Sequence, residues 1–160
     1  EVRIMKWLFL VTLLLAPQTM SGPGGILHTH QVWVMQNIRW KAAPADVNPR
    51  LSSGTGTVLY FGPSGKFRMI DCVLNKEGRS LTISHGDGQN IYIGEWAEQN
   101  GVVTVSYRLV SRTVEQIGEK LPGPPQTTSL RFDAGRKTGA RGYLAPRLIF
   151  NGSAFEPAPK

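Results

Sequence analysis

Only one cysteine, Cys72, occurs in 160 residues. An intramolecular disulfide is therefore excluded, and with it the small cysteine-stapled scaffolds. The chain also lacks a zinc-type cysteine pair, a phosphate-cradling glycine loop and a nucleophile elbow. Heptads, low-complexity tracts and internal repeats are absent. Acidic residues are scarce: 11 Asp and Glu stand against 18 Lys and Arg, a formal charge of +7. No apolar run reaches the ~20 residues a membrane-spanning helix needs.

The longest apolar run begins at Met5-Lys6-Trp7 and continues to Ala16, followed by Pro17, Thr19, Ser21 and Gly22. A basic start, an apolar centre and a small-residue exit are the three parts of a secretory signal peptide. Residues 1–4 then read as an over-extended start. The expectation is a leader over residues 1–21, cut before Gly22, and one β domain over residues 22–160. A flexible arm is expected at residues 22–25 and a loose tail at residues 156–160. The product is expected to be secreted or periplasmic.

Beyond the leader the dominant signal is a two-residue alternation broken by turn chemistry. Residues 31–40 read as a first extended segment and residues 41–56, rich in Pro, Asn, Ser and Gly, as a long loop. Residues 57–61 and 66–74 flank Gly62-Pro63-Ser64-Gly65, a turn that makes them a hairpin. Residues 75–78 turn again, before a strand over residues 79–84 with Leu81 and Ile83 on one face. The next strand, residues 90–96, carries Gly94 inside it, the mark of a bulge or close approach. Asn100-Gly101 is a hairpin signal. Residues 102–110 follow, with Val103, Val105, Tyr107 and Leu109 on one face. Residues 111–121 fit helix or strand equally. Residues 127–132 and 143–150 read as the last strands, with Pro146 marking an edge or bulge. The fold class is all-β: an antiparallel meander closing into a small barrel, with a β-sandwich as the alternative.

Two segments carry a family resemblance. One is Val58-Leu59-Tyr60-Phe61-Gly62-Pro63-Ser64-Gly65-Lys66-Phe67. The other runs from Ile91-Tyr92-Ile93-Gly94-Glu95-Trp96 through Asn100-Gly101-Val102-Val103-Thr104-Val105. Together they resemble the lipocalin-like β-barrel modules of exported bacterial proteins, with their glycine–x–tryptophan, turn and alternating strand. The resemblance spans residues 57–109. It implies a small barrel used for binding or envelope stress, and it carries over no functional residue.

Several constellations bear on chemistry. The aromatic stock of Trp33, Trp40, Tyr60, Tyr92, Trp96 and Tyr107 supplies a core. If the barrel is open at one end, Tyr92, Trp96 and Tyr107 would line an apolar ligand cavity. His85 and Asp87 sit in a glycine-rich turn. Hydrolytic use would need a nucleophile such as Ser84 or Ser106 beside them. His28 and His30 would share one face of a strand, two ligands where a metal needs more. Arg131, Arg136, Lys137, Arg141 and Arg147 form a basic stretch opposed only by Asp133, suited to an anionic surface. Cys72, inside an apolar strand, reads as a small buried hydrophobe. Asn151-Gly152-Ser153 matches a glycosylation acceptor, meaningful only in a eukaryotic secretory route.

The resulting expectation is an exported, non-enzymatic β-barrel binding a small apolar ligand or a cell-envelope partner through Tyr92, Trp96 and Tyr107. It has no catalytic residues, no cofactor and no metal. Nucleic acid is not an expected partner, since export and the lack of a stacking pattern argue against it. The alternatives are a hydrolase-type enzyme at His85/Asp87 and an interaction module using Arg131 to Arg147 on an anionic surface.

Overall fold

A computed structural model describes residues 23–44, 46, 48–84, 89–112, 121–133, 137–138, 143–144 and 146–159. A short helix, α1 (Pro23–Thr29), precedes β1 (Val32–Met35), β2 (Lys41–Ala42), β3 (Leu51–Phe61), β4 (Lys66–Glu77) and β5 (Ser80–Ile83). β6 (Asn90–Gln99), β7 (Val102–Arg112), β8 (Gln126–Ser129) and β9 (Arg131–Asp133) follow. The chain ends with β10 (Lys137–Thr138), β11 (Tyr143–Leu144), β12 (Arg147–Phe150) and β13 (Ser153–Pro157).

All pairings are antiparallel, and one sheet runs in the order β8-β7-β6-β4-β3-β1-β13-β12-β9. β8 and β9 stand at opposite ends of that order yet are separated in sequence by Leu130 alone. One kinked strand therefore pairs with β7 in its first half and with β12 in its second. Leu130 bridges the halves: its N–H donates to Val103 O at 2.8 Å and its side chain is buried. The sheet thereby closes nearly into a barrel, as the alternation predicted, and the two-sheet sandwich does not form.

The two hairpins read from the sequence are present. Gly65 takes φ 76° in the first turn; Asn100 and Gly101 take 52° and 76° in the second, the paired positive values of a type I′ turn. Val103, Val105, Tyr107 and Leu109 all face inward and are buried. The first three join Trp33, Leu59, Phe61, Phe67, Met69, Phe150 and Phe155 in the barrel core. A second apolar cluster lies on the outer face of β1, β3 and β4, built from Val34, Ile38, Val58, Ile70, Cys72 and Leu74.

Several segments differ from expectation. Of the glycine-rich start expected as an arm, residues 23–25 are helix: Pro23 opens α1, and its fixed φ suits a first helical turn. Leu27, fully buried, anchors the helix across one end of the barrel. The Gly24 N–H donates to Glu98 Oε2 at 3.1 Å. Residues 51–56 are not loop but the first half of β3, paired residue by residue with β4. Gly54 and Gly56 are needed there because Ile38 lies where their side chains would go. Residues 75–77 continue β4, leaving the turn to Gly78 at φ 59°. Of the first extended segment, only Val32–Met35 is strand. The expected strands over residues 127–132 and 143–150 each divide in two, at Leu130 and before Arg147. The tail is partly strand: β13 pairs with both β12 and β1. Asn151 and Gly152, at φ 47° and 78°, form the turn that returns it. The leader, residues 85–88 and most of residues 111–121 lie outside the described residues. Among the described residues, no helix is long and apolar enough to cross a membrane.

Candidate ligand site

The barrel interior grades from apolar to polar along its axis. At the α1 end, Trp96 is the organising side chain. Its backbone N–H donates to Gly65 O at 2.7 Å and its indole Nε1 to Gly62 O at 3.0 Å, so one residue ties β6 to the β3–β4 turn. His28 meets its ring edge-on at a centroid distance of 5.3 Å. His28 and His30 thus do not share a strand face. α1 turns His28 toward Trp96, and His30, just past the helix, meets Trp33.

From Trp96 a file of rings crosses the interior. Trp96 meets Phe61 at 6.2 Å, Phe61 meets Phe67 at 5.2 Å, Phe67 meets Tyr107 at 5.8 Å and Tyr107 meets Tyr92 at 6.1 Å. The three residues read from the sequence therefore belong to one continuous aromatic path. Phe61 and Phe67 are the links that reading did not name. Both were legible by parity, since each shares the inward face of its strand. Trp96 and Tyr107 are buried, and Tyr92 is half-buried. The Tyr107 hydroxyl accepts a hydrogen bond from Asn151 Nδ2 at 2.6 Å, which gives the amide of the Asn151-Gly152-Ser153 triplet a partner inside the fold.

Beyond Tyr92, at the end opposite α1, the inward positions turn polar. Thr57, Asp71, Asn90 and Arg112 stand in register across β3, β4, β6 and β7. Thr57 Oγ1 donates to Asp71 Oδ1 at 2.7 Å, and Arg112 Nε donates to Asn90 Oδ1 at 3.1 Å. Burial pushes the Tyr92 hydroxyl pKa up; the Asp71 charge and a hydrogen bond to Asp71 add to the rise, and Arg112 opposes it. A protonated phenol, a carboxylate and a guanidinium thus meet above an aromatic interior. Such a row can orient the polar end of a molecule whose body lies against the rings.

Asp71 and Arg112 were missed for different reasons. Asp71 shares inward parity with Phe67 and Met69 and could have been found as the one charge on that face between Lys66 and Leu74. Arg112 faces inward only because the β6–β7 register shifts between Ile91 and Tyr92, which no sequence pattern signals.

The other candidates fall elsewhere. His85 and Asp87 lie outside the described residues. Ser106, one nucleophile considered for them, is exposed on the outer face with its Oγ 3.1 Å from Thr127 Oγ1. Arg131 is exposed, with Nε 3.7 Å from Asp133 Oδ1, and Arg147 stands opposite Asp133 on the neighbouring strand. The side chains of Arg136, Lys137 and Arg141 lie outside the described residues. Cys72 is fully buried in the outer cluster, where burial and then the neighbouring Asp71 raise its thiol pKa to about 11. Among the described residues, no group of three or more potential metal ligands assembles. No family model matches this chain, and no curated protein or solved structure is significantly similar to it.

Proposed function

We propose that this is an exported, non-enzymatic β-barrel that binds a small ligand with an apolar body and a polar end. The observation that carries the reading is the gradient along the interior, from the ring file to the row of Thr57, Asp71, Asn90 and Arg112. Tyr92 and Tyr107 flank the ligand body, Trp96 forms the floor beneath α1, and Asp71 with Arg112 orients the polar end. Export rests on the basic, apolar and small-residue segments of residues 5–22. No bond is made or broken. Affinity would come from apolar burial, and selectivity from a few fixed polar groups.

An uncharged apolar dye, N-phenyl-1-naphthylamine, tests the reading in a fluorescence titration. The expected result is saturable binding of one equivalent, weakened in Tyr92→Ala while the melting transition remains cooperative. Absence of saturable binding, or binding unaffected by Tyr92→Ala, would overturn it.

A further inference from the structure

A cleft of about 520 Å³ opens on the inward face of β3 and β4 where they extend past β1. Its walls include Asn37, Arg39 and Lys41 on one side and Ser53, Thr55 and Val73 on the other. Residues 36–41 cross the sheet here as a pinned strap. Gln36 N–H donates to Ala154 O at 2.9 Å at one end, and Lys41 pairs with Ser53 at the other.

The strap is seated by the two glycines of β3. A methyl group on Gly54 would lie 2.6 Å from Ile38 Cγ2 and 2.8 Å from Arg39 O, and one on Gly56 would lie 2.7 Å from Ile38 Cδ1. Ile38 thus occupies the space those side chains leave, and Trp40 packs on the same side with Lys76 Nζ 5.6 Å from its ring centroid. Alternation along an extended strap then delivers Asn37, Arg39 and Lys41 to the opposite side. There they meet Ser53, Thr55 and Val73, which share the face of Leu59 and Met69.

The cleft's charge is one-sided. Its lining holds a guanidinium, an ammonium, an amide and two hydroxyls and, among these described residues, no carboxylate; Asp71, the adjoining inward position of β4, is hydrogen-bonded to Thr57. Two like charges held on one side of a pinned strap repel each other, and an anion between them relieves that repulsion. Guanidinium, ammonium and hydroxyl donors together match the several acceptor oxygens of a phosphate group. We infer that this cleft binds a phosphate group, with room beside it for the molecule that carries the group. The assignment does not rest on the proposed interior ligand: the cleft adjoins Thr57 and Asp71 but uses different residues and a different ligand chemistry.

The test is an amide-resolved NMR titration of the full chain with inorganic phosphate at low ionic strength. A sedimentation assay accompanies it, with vesicles of phosphatidic acid and of phosphatidylcholine. The expected result is saturable shifts at Arg39, Lys41, Ser53 and Thr55, with affinity about tenfold or more weaker in the double variant Arg39→Gln/Lys41→Gln. Both positions are exposed, so that variant keeps its fold, checked by its melting curve. Saturation by free phosphate supports the cleft with a soluble phosphate as its source. Binding to phosphatidic acid but not phosphatidylcholine vesicles, lost in the double variant, supports it with a lipid headgroup as the source. Neither response, or binding undiminished in the double variant, overturns the inference. The dye titration on the interior carries no charge and is blind to this outcome.

Discussion

Gly94 should be among the least replaceable residues of the described chain. It sits opposite Tyr107 in the β6–β7 pair, its backbone is not left-handed, and the objection to a side chain there is purely one of space. A methyl group would stand 2.7 Å from Tyr107 Cα and 2.8 Å from the Ser106 carbonyl carbon. Ordinary carbon contacts are about 3.5–4.0 Å, so the two strands must separate by about 1 Å. Both obstacles are backbone, and neither can rotate away. A 1 Å separation takes the flanking ladder bonds from about 2.9 Å to about 3.9 Å, beyond hydrogen-bonding range. Two such bonds at about 1 kcal/mol each, with overpacking of about 1–3 kcal/mol, give a loss of about 3–5 kcal/mol. With a urea m-value of about 2 kcal/mol/M, the midpoint should fall by about 2 M in Gly94→Ala. Gly101→Ala is the control. It meets nothing within 4 Å but sits at φ 76°, so its cost is conformational, about 1 kcal/mol. Equilibrium urea unfolding followed by tryptophan fluorescence measures both. A Gly94→Ala midpoint within 0.5 M of the parent protein, on the same m-value, would refute the steric argument.

Three further outcomes follow from the same geometry. Tyr107→Phe removes the acceptor for Asn151 and should cost about 1 kcal/mol in urea unfolding, with no change in secondary structure by circular dichroism. Leu27→Ala should cost about 2–5 kcal/mol in the same assay, because the fully buried side chain holds α1 across the barrel end. The Cys72 thiol should resist Ellman's reagent at pH 8 in the native protein and react at once in denaturant, since burial raises its pKa to about 11. The sign for stability is that of a raised acid. The Cys72 contribution is intact below pH 9, the ordinary thiol value, and is lost as pH rises toward about 11. Cys72→Ala should remove that part of the alkaline loss in pH-dependent unfolding.

What could be read in advance had local causes. The β3–β4 and β6–β7 hairpins announce themselves because turn chemistry and alternation agree over the same dozen residues. The face of Val103, Val105, Tyr107 and Leu109 is visible for the same reason. Residues 51–56 could not be read so, because their serines and glycines are chosen for a neighbour: Gly54 and Gly56 make room for Ile38, far away in the chain's local pattern. Residues 151–157 show a different failure. Asn151-Gly152 carries the same turn chemistry as Asn100-Gly101, but the strand after it is short and ends in prolines. Pro157 is tolerated because it closes the strand, where a missing N–H costs least. At the site, Tyr92, Trp96 and Tyr107 follow from parity alone. Arg112 joins them through a register shift that exists only once β6 and β7 have paired.

The pairing of β1 with β13 sets a schedule for folding. Gln36 and Glu156, 120 positions apart, meet across that seam, and Trp33 lies opposite Pro157. Synthesis at about 5–20 residues per second puts roughly 6–24 s between the two strands. Throughout that time the first strand waits for one of its two neighbours. The hairpins can form as they emerge, but the ring cannot shut before β13 is made. High sequence separation of this kind slows that step further. A barrel whose first strand pairs with its thirteenth stays open until that strand arrives.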